Sequence, residues 1–380
     1  MFSQLSSDCG KFSYRVPTLT HFLMMHTLHI FNPWHDEALA ANVQYYSPSL
    51  AGRKLACALS ELPRIWGKEE DECLKIPESG RVKDLVPPDW SKIQHIAPWG
   101  WDNHVVEIFQ RLGAPESLLP TEEQLRVMRH LSSRVNVSEL LAKDSEHLLQ
   151  NCKGITSFSS TFCRSMEEVT AALEPLKGRA MLKSPWSSSG RGVFPIKGTL
   201  DPVAEARVQK ILQQQGGIEV QSLHEVLGNF AFEYHALADG TVVYDGLSLF
   251  HAAPGGAYLG NLVAHLLKME RELCRWMAPH AVEWGISGEN LPQLLHQLRS
   301  ILAELLAKWL QARYVGPLGV DLLITSTGIQ PCVEINLRRT MGHVAVALGK
   351  QQIPDAPLQL LQISLEGWQL VPLSSPESLG

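Results

Sequence analysis

A mixed α/β protein (α+β) made of several packed units is what the sequence predicts, and three observations predict it. Strand-like and helical runs alternate over residues 26–115, the pattern of a small parallel sheet with flanking helices. Residues 181–194 combine an apolar lead-in, a serine- and glycine-rich loop and an apolar exit, hence strand, loop, strand. Residues 318–325 and 329–337, separated by Ser-Thr-Gly, form the two arms of a hairpin. At 380 residues the chain is long enough for two or three such units.

Composition narrows the function classes. Hydrophobic residues make up 45% of the chain and the mean hydropathy is -0.04, as in ordinary soluble globular proteins. The net charge is -6 and no dense Lys/Arg run occurs, so no nucleic-acid partner is expected. The seven cysteines are scattered and contain no Cys-x-x-Cys, which argues against a disulfide framework and for a reduced, cytoplasmic setting. No apolar run approaches the roughly 20 residues of a membrane span, so no membrane partner is expected.

Residues 1–24 show weak periodicity and are expected to be a disordered or extended start, with Met24 or Met25 as a natural beginning. His21, His26 and His29 do not make a closed metal-ligand set. The strand at 26–31 runs into Asn32-Pro33, a turn signal, and then a helix start with acids in its first turn. Asn32, His35, Asp36 and Asn42 therefore either line a cleft or simply cap and charge that helix. A second helix spans 49–62, an irregular segment 67–88, and a strand 92–97. Asp102 is placed to cap the helix that Gly113 ends.

Thr121 and Gln124 form a capping box, and residues 121–150 are expected to be linking helices. Arg134 lies between two helical runs, where a solvated cation is the plain expectation. A strand near 155–158, helices at 165–176 and 201–215 and a strand at 218–221 surround the loop of 184–192. Residues 230–237 and 241–249 make a hairpin about Ala-Asp-Gly. A loop follows at 251–258, then a long amphipathic helix at about 291–314.

The loop Ser187, Ser188, Ser189, Gly190, Arg191, Gly192 has little side-chain bulk, so its amides can approach an anion closely. Lys183 and Arg191 add positive charge on either side. The order differs from a P-loop, in which the lysine follows the glycines and a helix comes next. A serine-rich hairpin with two surface cations has the same composition. In the 318–337 hairpin, pairing Thr325 with Gln330 across a four-residue loop sets Asp321 opposite Glu334, and alternation puts Asn336 on the same face. Two carboxylates and an amide oxygen in apolar strands suit Mg²⁺. An ion network with Arg338, Arg339 or Lys183 is the structural alternative.

A strand lysine before a Gly/Ser flap, with Gly-Val-Asp and Glu-Ile-Asn-Leu-Arg far downstream, resembles the ATP-grasp superfamily. Lys-Ser-Pro-Trp-Ser-Ser-Ser-Gly-Arg-Gly, Tyr-Asp-Gly-Leu-Ser-Leu-Phe and Glu-Ile-Asn-Leu-Arg-Arg-Thr-Met-Gly-His resemble an uncharacterised ATP-grasp group of Bacteroidetes-type bacteria, over about residues 28–350. The resemblance implies an ATP-grasp fold, with a pre-ATP-grasp α/β domain at 25–120, linking helices at 121–150, a lid subdomain at 151–222 and a C-terminal antiparallel catalytic subdomain at 223–380. It implies ATP as cofactor with Mg²⁺, or Mn²⁺ in its place. Lys183 would hold the ATP phosphates, Ser188, Ser189, Gly190, Arg191 and Gly192 the flap, and Arg134 a second phosphate contact. Glu219 or Gln221 would serve the purine–ribose hinge, Asp321, Glu334 and Asn336 the metal, and Arg338 the transferred phosphate.

The reaction implied joins a small-molecule carboxylate to an amine through an acyl-phosphate. A phosphotransferase on the same fold and a nucleotide-binding regulator with little turnover are the alternatives. Substrate is expected near Asn32, His251, Tyr258 and Asn261. Relatives are often dimers, so a homodimer is compatible with the resemblance.

Overall fold

The computed structural model describes residues 26–136, 140, 149, 152–156, 160–187, 192–253 and 258–373. Among them the first sheet is parallel, with β1 (Thr27–Ile30) between β2 (Glu72–Cys73) and β3 (His95–Pro98). Helices α1 (His35–Ala41), α2 (Leu50–Ala58) and α3 (Asn103–Arg111) belong to this unit. Asp102 caps α3 by accepting from the Val105 amide, and α4 (Glu122–Leu131) opens on the Thr121/Gln124 capping box. Short-range caps satisfy helix-end amides within a few residues, which is why they follow from sequence alone.

The second sheet is antiparallel in the order β4-β7-β5-β6, with β4 (Ser160–Cys163), β5 (Arg179–Lys183), β6 (Val193–Lys197) and β7 (Ile218–Ser222). Helices α5 (Met166–Leu173) and α6 (Pro202–Gln215) contribute Val169, Val208 and Ile211 to its core. Of the strand expected near 155–158, Ile155 makes an isolated bridge to Ile329, residues 157 and 158 lie outside the described residues, and β4 is at Ser160–Cys163.

The third sheet has seven strands in the order β12-β11-β8-β9-β10-β13-β14. Its strands are β8 (Val226–Ala236), β9 (Val242–Ala252), β10 (Tyr258–Val263), β11 (Gly316–Thr325), β12 (Gly328–Asn336), β13 (Gln359–Ser364) and β14 (Gly367–Pro372). Helices α7 (Leu266–Met277) and α8 (Leu291–Leu310) cover one face, with Leu298, Leu302 and Leu306 packed in the same core as Phe230, Phe232 and Tyr234. Each such leucine, removed from water, stabilises the fold by about 1.5–3 kcal/mol. Helix α9 (Met341–Lys350) lies on the other face, where Val344, Ala345 and Leu348 join Phe31, Leu59 and Leu62 of the first unit. Nothing in the periodicity singled out α7 or α9.

The 318–337 hairpin corrects one expectation. Thr325 pairs with Gly328, not Gln330, yet Asp321 still lies opposite Glu334. Between Leu323↔Gln330 and Asp321↔Glu334, one residue of β11 faces three of β12, a bulge containing Pro331, which has no N–H for the ladder, and Cys332 at φ +55°. Two extra residues preserve the side-chain parity, so the turn slips while the acids stay on one face. No helix among the described residues is long and apolar enough to cross a membrane.

Candidate functional site

A cavity of about 740 Å³ opens between the second sheet, the face of the third that carries α9 and the α1–α2 corner. Strand alternation builds its floor: Asn229, Ala231 and Glu233 of β8 face it, while Phe230, Phe232 and Tyr234 turn into the core. Met181, Lys183, Val193 and Gln221 form the roof, and Asp321, Glu334 and Asn336 lie across from them.

Lys183 ends β5 paired with Glu219 of β7, and both are buried, at 6% and 0% exposure. Burial lowers the Lys183 pKa and raises that of Glu219, each charge partly restoring the other. The Lys183 ammonium reaches one carbonyl, that of Val333, at 3.4 Å. Glu219 accepts from the Ser160 hydroxyl through Oε1 and lies against the Gln221 amide, although neither its Oε2 nor Gln221 Nε2 makes a well-formed hydrogen bond among the described residues. Of the two hinge candidates, Gln221 lines the cavity and Glu219 sits beneath Lys183.

Arg134 is not a solvated cation. It is 5% exposed and bolts the flap to the floor. Nη1 donates to the Ser184 carbonyl (2.9 Å) and Ser187 Oγ (2.6 Å), and Nη2 donates to the Ser187 carbonyl (3.0 Å) and Glu334 Oε1 (2.6 Å). Its Nε has no partner among the described residues. Gly192 is required where the flap legs close, because a Cβ there would lie 2.3 Å from Ser187 Oγ. Ser188, Ser189, Gly190 and Arg191 lie outside the described residues.

Asp321 and Glu334 face each other across the strands, and the Asn336 amide donates to Asp321 Oδ2 at 3.4 Å. Burial, with Glu334 and then Glu233 adding repulsion, pushes the Asp321 carboxyl well above the usual carboxylate range. The floor is therefore short of positive charge, although Arg134 pairs with Glu334.

Arg338 lines the cavity but is held: Nε and Nη2 clasp the Asp36 carboxylate at 2.8–3.2 Å, and Nη1 donates to the Arg339 carbonyl. Burial opposes ionisation of Asp36, yet Arg338 keeps its carboxyl below the ordinary range. These partners are 302 residues apart, so nothing local announced them.

Two expected substrate residues are not in the cavity. Asn32 is fully buried and donates to the Gly100 carbonyl (2.9 Å) and Asp102 Oδ2 (3.1 Å), tying two loops together. His251 falls on the wrong side of β9: Phe250 and Ala252 line the cavity, while its ring packs 5.7 Å from Trp276. The expected loop is strand as far as Ala252, and alternation turns His251 away. Tyr258 and Asn261 do line it, the Tyr258 hydroxyl donating to Asn261 Oδ1 at 2.5 Å and Asn261 Nδ2 to Ser248 Oγ at 2.8 Å. Glu233, Ser248 and Thr340 also face the cavity and were not foreseen. The signal for Glu233 was present, because polar or small residues alternate with aromatics through 229–234.

No protein-family model and no curated protein matches the chain. Several solved structures are similar to it. A biotin carboxylase from Campylobacter jejuni in complex with β-γ-ATP shares 11% identity over 90% of this chain and 76% of that one, with a TM-score of 0.49. D-alanyl-alanine synthetase A from Vibrio cholerae shares 11% over 87% and 94%, at 0.46. The biotin carboxylase domain of 2-oxoglutarate carboxylase from Hydrogenobacter thermophilus, complexed with MgADP, ADP and bicarbonate, shares 12% over 71%, at 0.44. This chain spans 58% of that domain's length. At these values the likenesses carry no function over to this chain.

Proposed function

We propose that the chain is an ATP- and Mg²⁺-dependent ligase of the ATP-grasp type, joining a small carboxylate to an amine. One observation carries the reading: Asp321 lies opposite Glu334, with Asn336 on the same face, across a cavity from the buried Lys183. Two acids pressed together in a half-buried floor are short of a cation, and their hard oxygens suit Mg²⁺ or Mn²⁺. When bound, the metal would neutralise phosphate charge as it shifts between the β- and γ-phosphates.

The chain's own residues do the rest. Lys183 supplies a fixed positive charge for phosphate oxygens in a site that excludes water, where such a charge acts strongly. Arg134 and Glu334 neutralise each other as they stand; a phosphate on one and a cation on the other would replace each partner in kind. The Gln221 amide, beside Glu219 at the cavity wall, offers a donor for the base or ribose. Arg338, fixed by Asp36, would clamp the transferred phosphate or the acyl-phosphate formed from it. In the reaction class, a carboxylate oxygen attacks the γ-phosphorus and ADP leaves; the amine nitrogen then attacks the acyl carbon and phosphate leaves. No side-chain nucleophile is needed.

The test is a thermal-shift titration with ATP, ADP and GTP, with and without Mg²⁺, on the wild type and Lys183→Ala. ATP at about 100 times its Kd should add about 2.7 kcal/mol to stability. The shift should require Mg²⁺ and vanish in the variant. A folded wild type that answers to no nucleotide overturns the reading. Where ATP binds, ADP release driven by an acid without any amine points instead to a phosphotransferase.

A further inference from the structure

Beyond the metal and phosphate residues, the cavity has a second end with its own chemistry. Glu233 sits there at 1% exposure, yet borders the cavity. Its Oε2 accepts from the Thr340 hydroxyl at 2.9 Å and lies 2.9 Å from His343 Nδ1. His343 Nε2 in turn lies 3.3 Å from the Tyr234 carbonyl oxygen, so the carboxylate is fixed from behind. The other oxygen, Oε1, has no hydrogen-bond partner among the described residues. Space is kept for it by Gly342, where a Cβ would lie 1.8 Å from Oε1.

His343 Nδ1 beside Oε2 accepts from the Thr340 amide and would be a cation only if protonated; apart from it, no cation bordering the cavity among the described residues is left for this carboxylate. Of the cations bordering the cavity, Arg134 is matched by Glu334 and Arg338 by Asp36, and Lys183 lies against Glu219. Phe31, Leu55, Trp99, Met341 and Ile363, which belong to one hydrophobic cluster, also line the cavity and give it an apolar arm next to Thr340 and Gly342. Buried carboxylates are satisfied by donors, and the strongest donors are cationic.

We infer that Glu233 is the seat of the second substrate's amino group, and that this substrate is a primary amine with an apolar body lying along the Phe31–Leu55–Met341 arm. The assignment deepens the ligase reading and relies on it only for the reaction the amine enters. A carboxylate that accepts from an ammonium group orients its nitrogen and can take the proton it must lose before attacking an acyl carbon. Glu233 thus decides which nucleophile enters, apart from the residues that hold the nucleotide.

The test uses straight-chain primary amines from ethylamine to hexylamine and the alcohols of equal length, in thermal-shift titrations of the full chain, with and without MgADP. Amines should bind roughly tenfold more tightly than their alcohols, with affinity rising about three- to fourfold per added methylene. Glu233→Gln should remove the advantage of amine over alcohol and keep the MgADP shift. Equal binding of amine and alcohol by the wild type overturns the assignment, as does an amine preference that survives in Glu233→Gln. Should that variant not fold, Ile363→Ala takes its place: it leaves the carboxylate and trims the arm, so the gain per methylene must fall, and an unchanged gain overturns the proposal. Failure of MgADP to shift the wild type counts against the ligase reading and leaves the amine result standing.

Discussion

Two walls of the same cavity treat their polar groups in opposite ways. At the α1–α3 corner one set of side chains ties the chain together: Asn32 bonds Gly100 and Asp102, His35 Nδ1 lies 3.4 Å from Asp102, and Asp102 also caps α3. At the opposite wall Glu219 Oε2, Gln221 Nε2 and Arg134 Nε are buried without a well-formed hydrogen bond among the described residues. An orphaned buried group costs about 1–3 kcal/mol, and at this wall Gln221 and Arg134 border the cavity, where a ligand would satisfy them. The corner is built for stability, the roof and floor for a ligand.

That contrast predicts where substitutions hurt. Asp102→Ala removes the cap of α3 and one of the two acceptors of the buried Asn32 amide, which should cost roughly 2 kcal/mol. Urea denaturation would measure the loss. The Mg-ATP shift per bound ligand should stay as in the wild type. Loss of nucleotide response in a folded Asp102→Ala protein would mean that the corner is part of the binding machinery and would break the contrast.

Acid should act on the same built side of the molecule. Burial lowers the pKa of His29 and of His95. Unfolded histidines take up protons near 6.5, so below that pH the unfolded chain binds more protons than the folded one. Stability is then fully present above about 6.5 and is lost as pH falls toward the lowered folded values, by up to about 1.4 kcal/mol per unit for each histidine. Asp71 acts in the same direction at lower pH: burial opposes it, but the Lys68 and Thr27 amides hold its carboxyl below the usual range. Melting temperature against pH, for the wild type and a His29→Gln/His95→Gln variant, checks this. An unchanged slope between pH 6.5 and 5.5 would remove these two residues as its source.

What the sequence made legible follows the range over which each feature acts. Caps at Asp102 and Thr121 act within three residues, and both form. The Asp321–Glu334 pairing survived a misplaced turn because the bulge at Pro331 shifts the register by an even number, leaving the face unchanged. His251 was misjudged because strand, with its alternation, runs to Ala252 where a loop was expected. Pairs that close over long separations carried no local signal: Arg134 meets Glu334 across 200 positions and Arg338 meets Asp36 across 302. The charges at those positions were readable, but their partners were not.

The smallest effect is the sharpest test of the ligand wall. Lys183 and Glu219 are paired across β5 and β7, and both are buried. Removing either charge alone leaves the other buried and uncompensated, which is costly. Removing both by Lys183→Met/Glu219→Gln avoids that, since glutamine can still accept from Ser160 and methionine fills the lysine's path. A buried ion pair replaced by groups of similar volume is often neutral or stabilising. The double variant should therefore unfold within about 1 kcal/mol of the wild type, or later than it, while losing its response to Mg-ATP. A loss of several kcal/mol in urea would make the pair a structural bolt like the Asn32–Asp102 corner. An unchanged stability with no nucleotide response would mean that this fold keeps two charges in its interior for a molecule it has yet to bind.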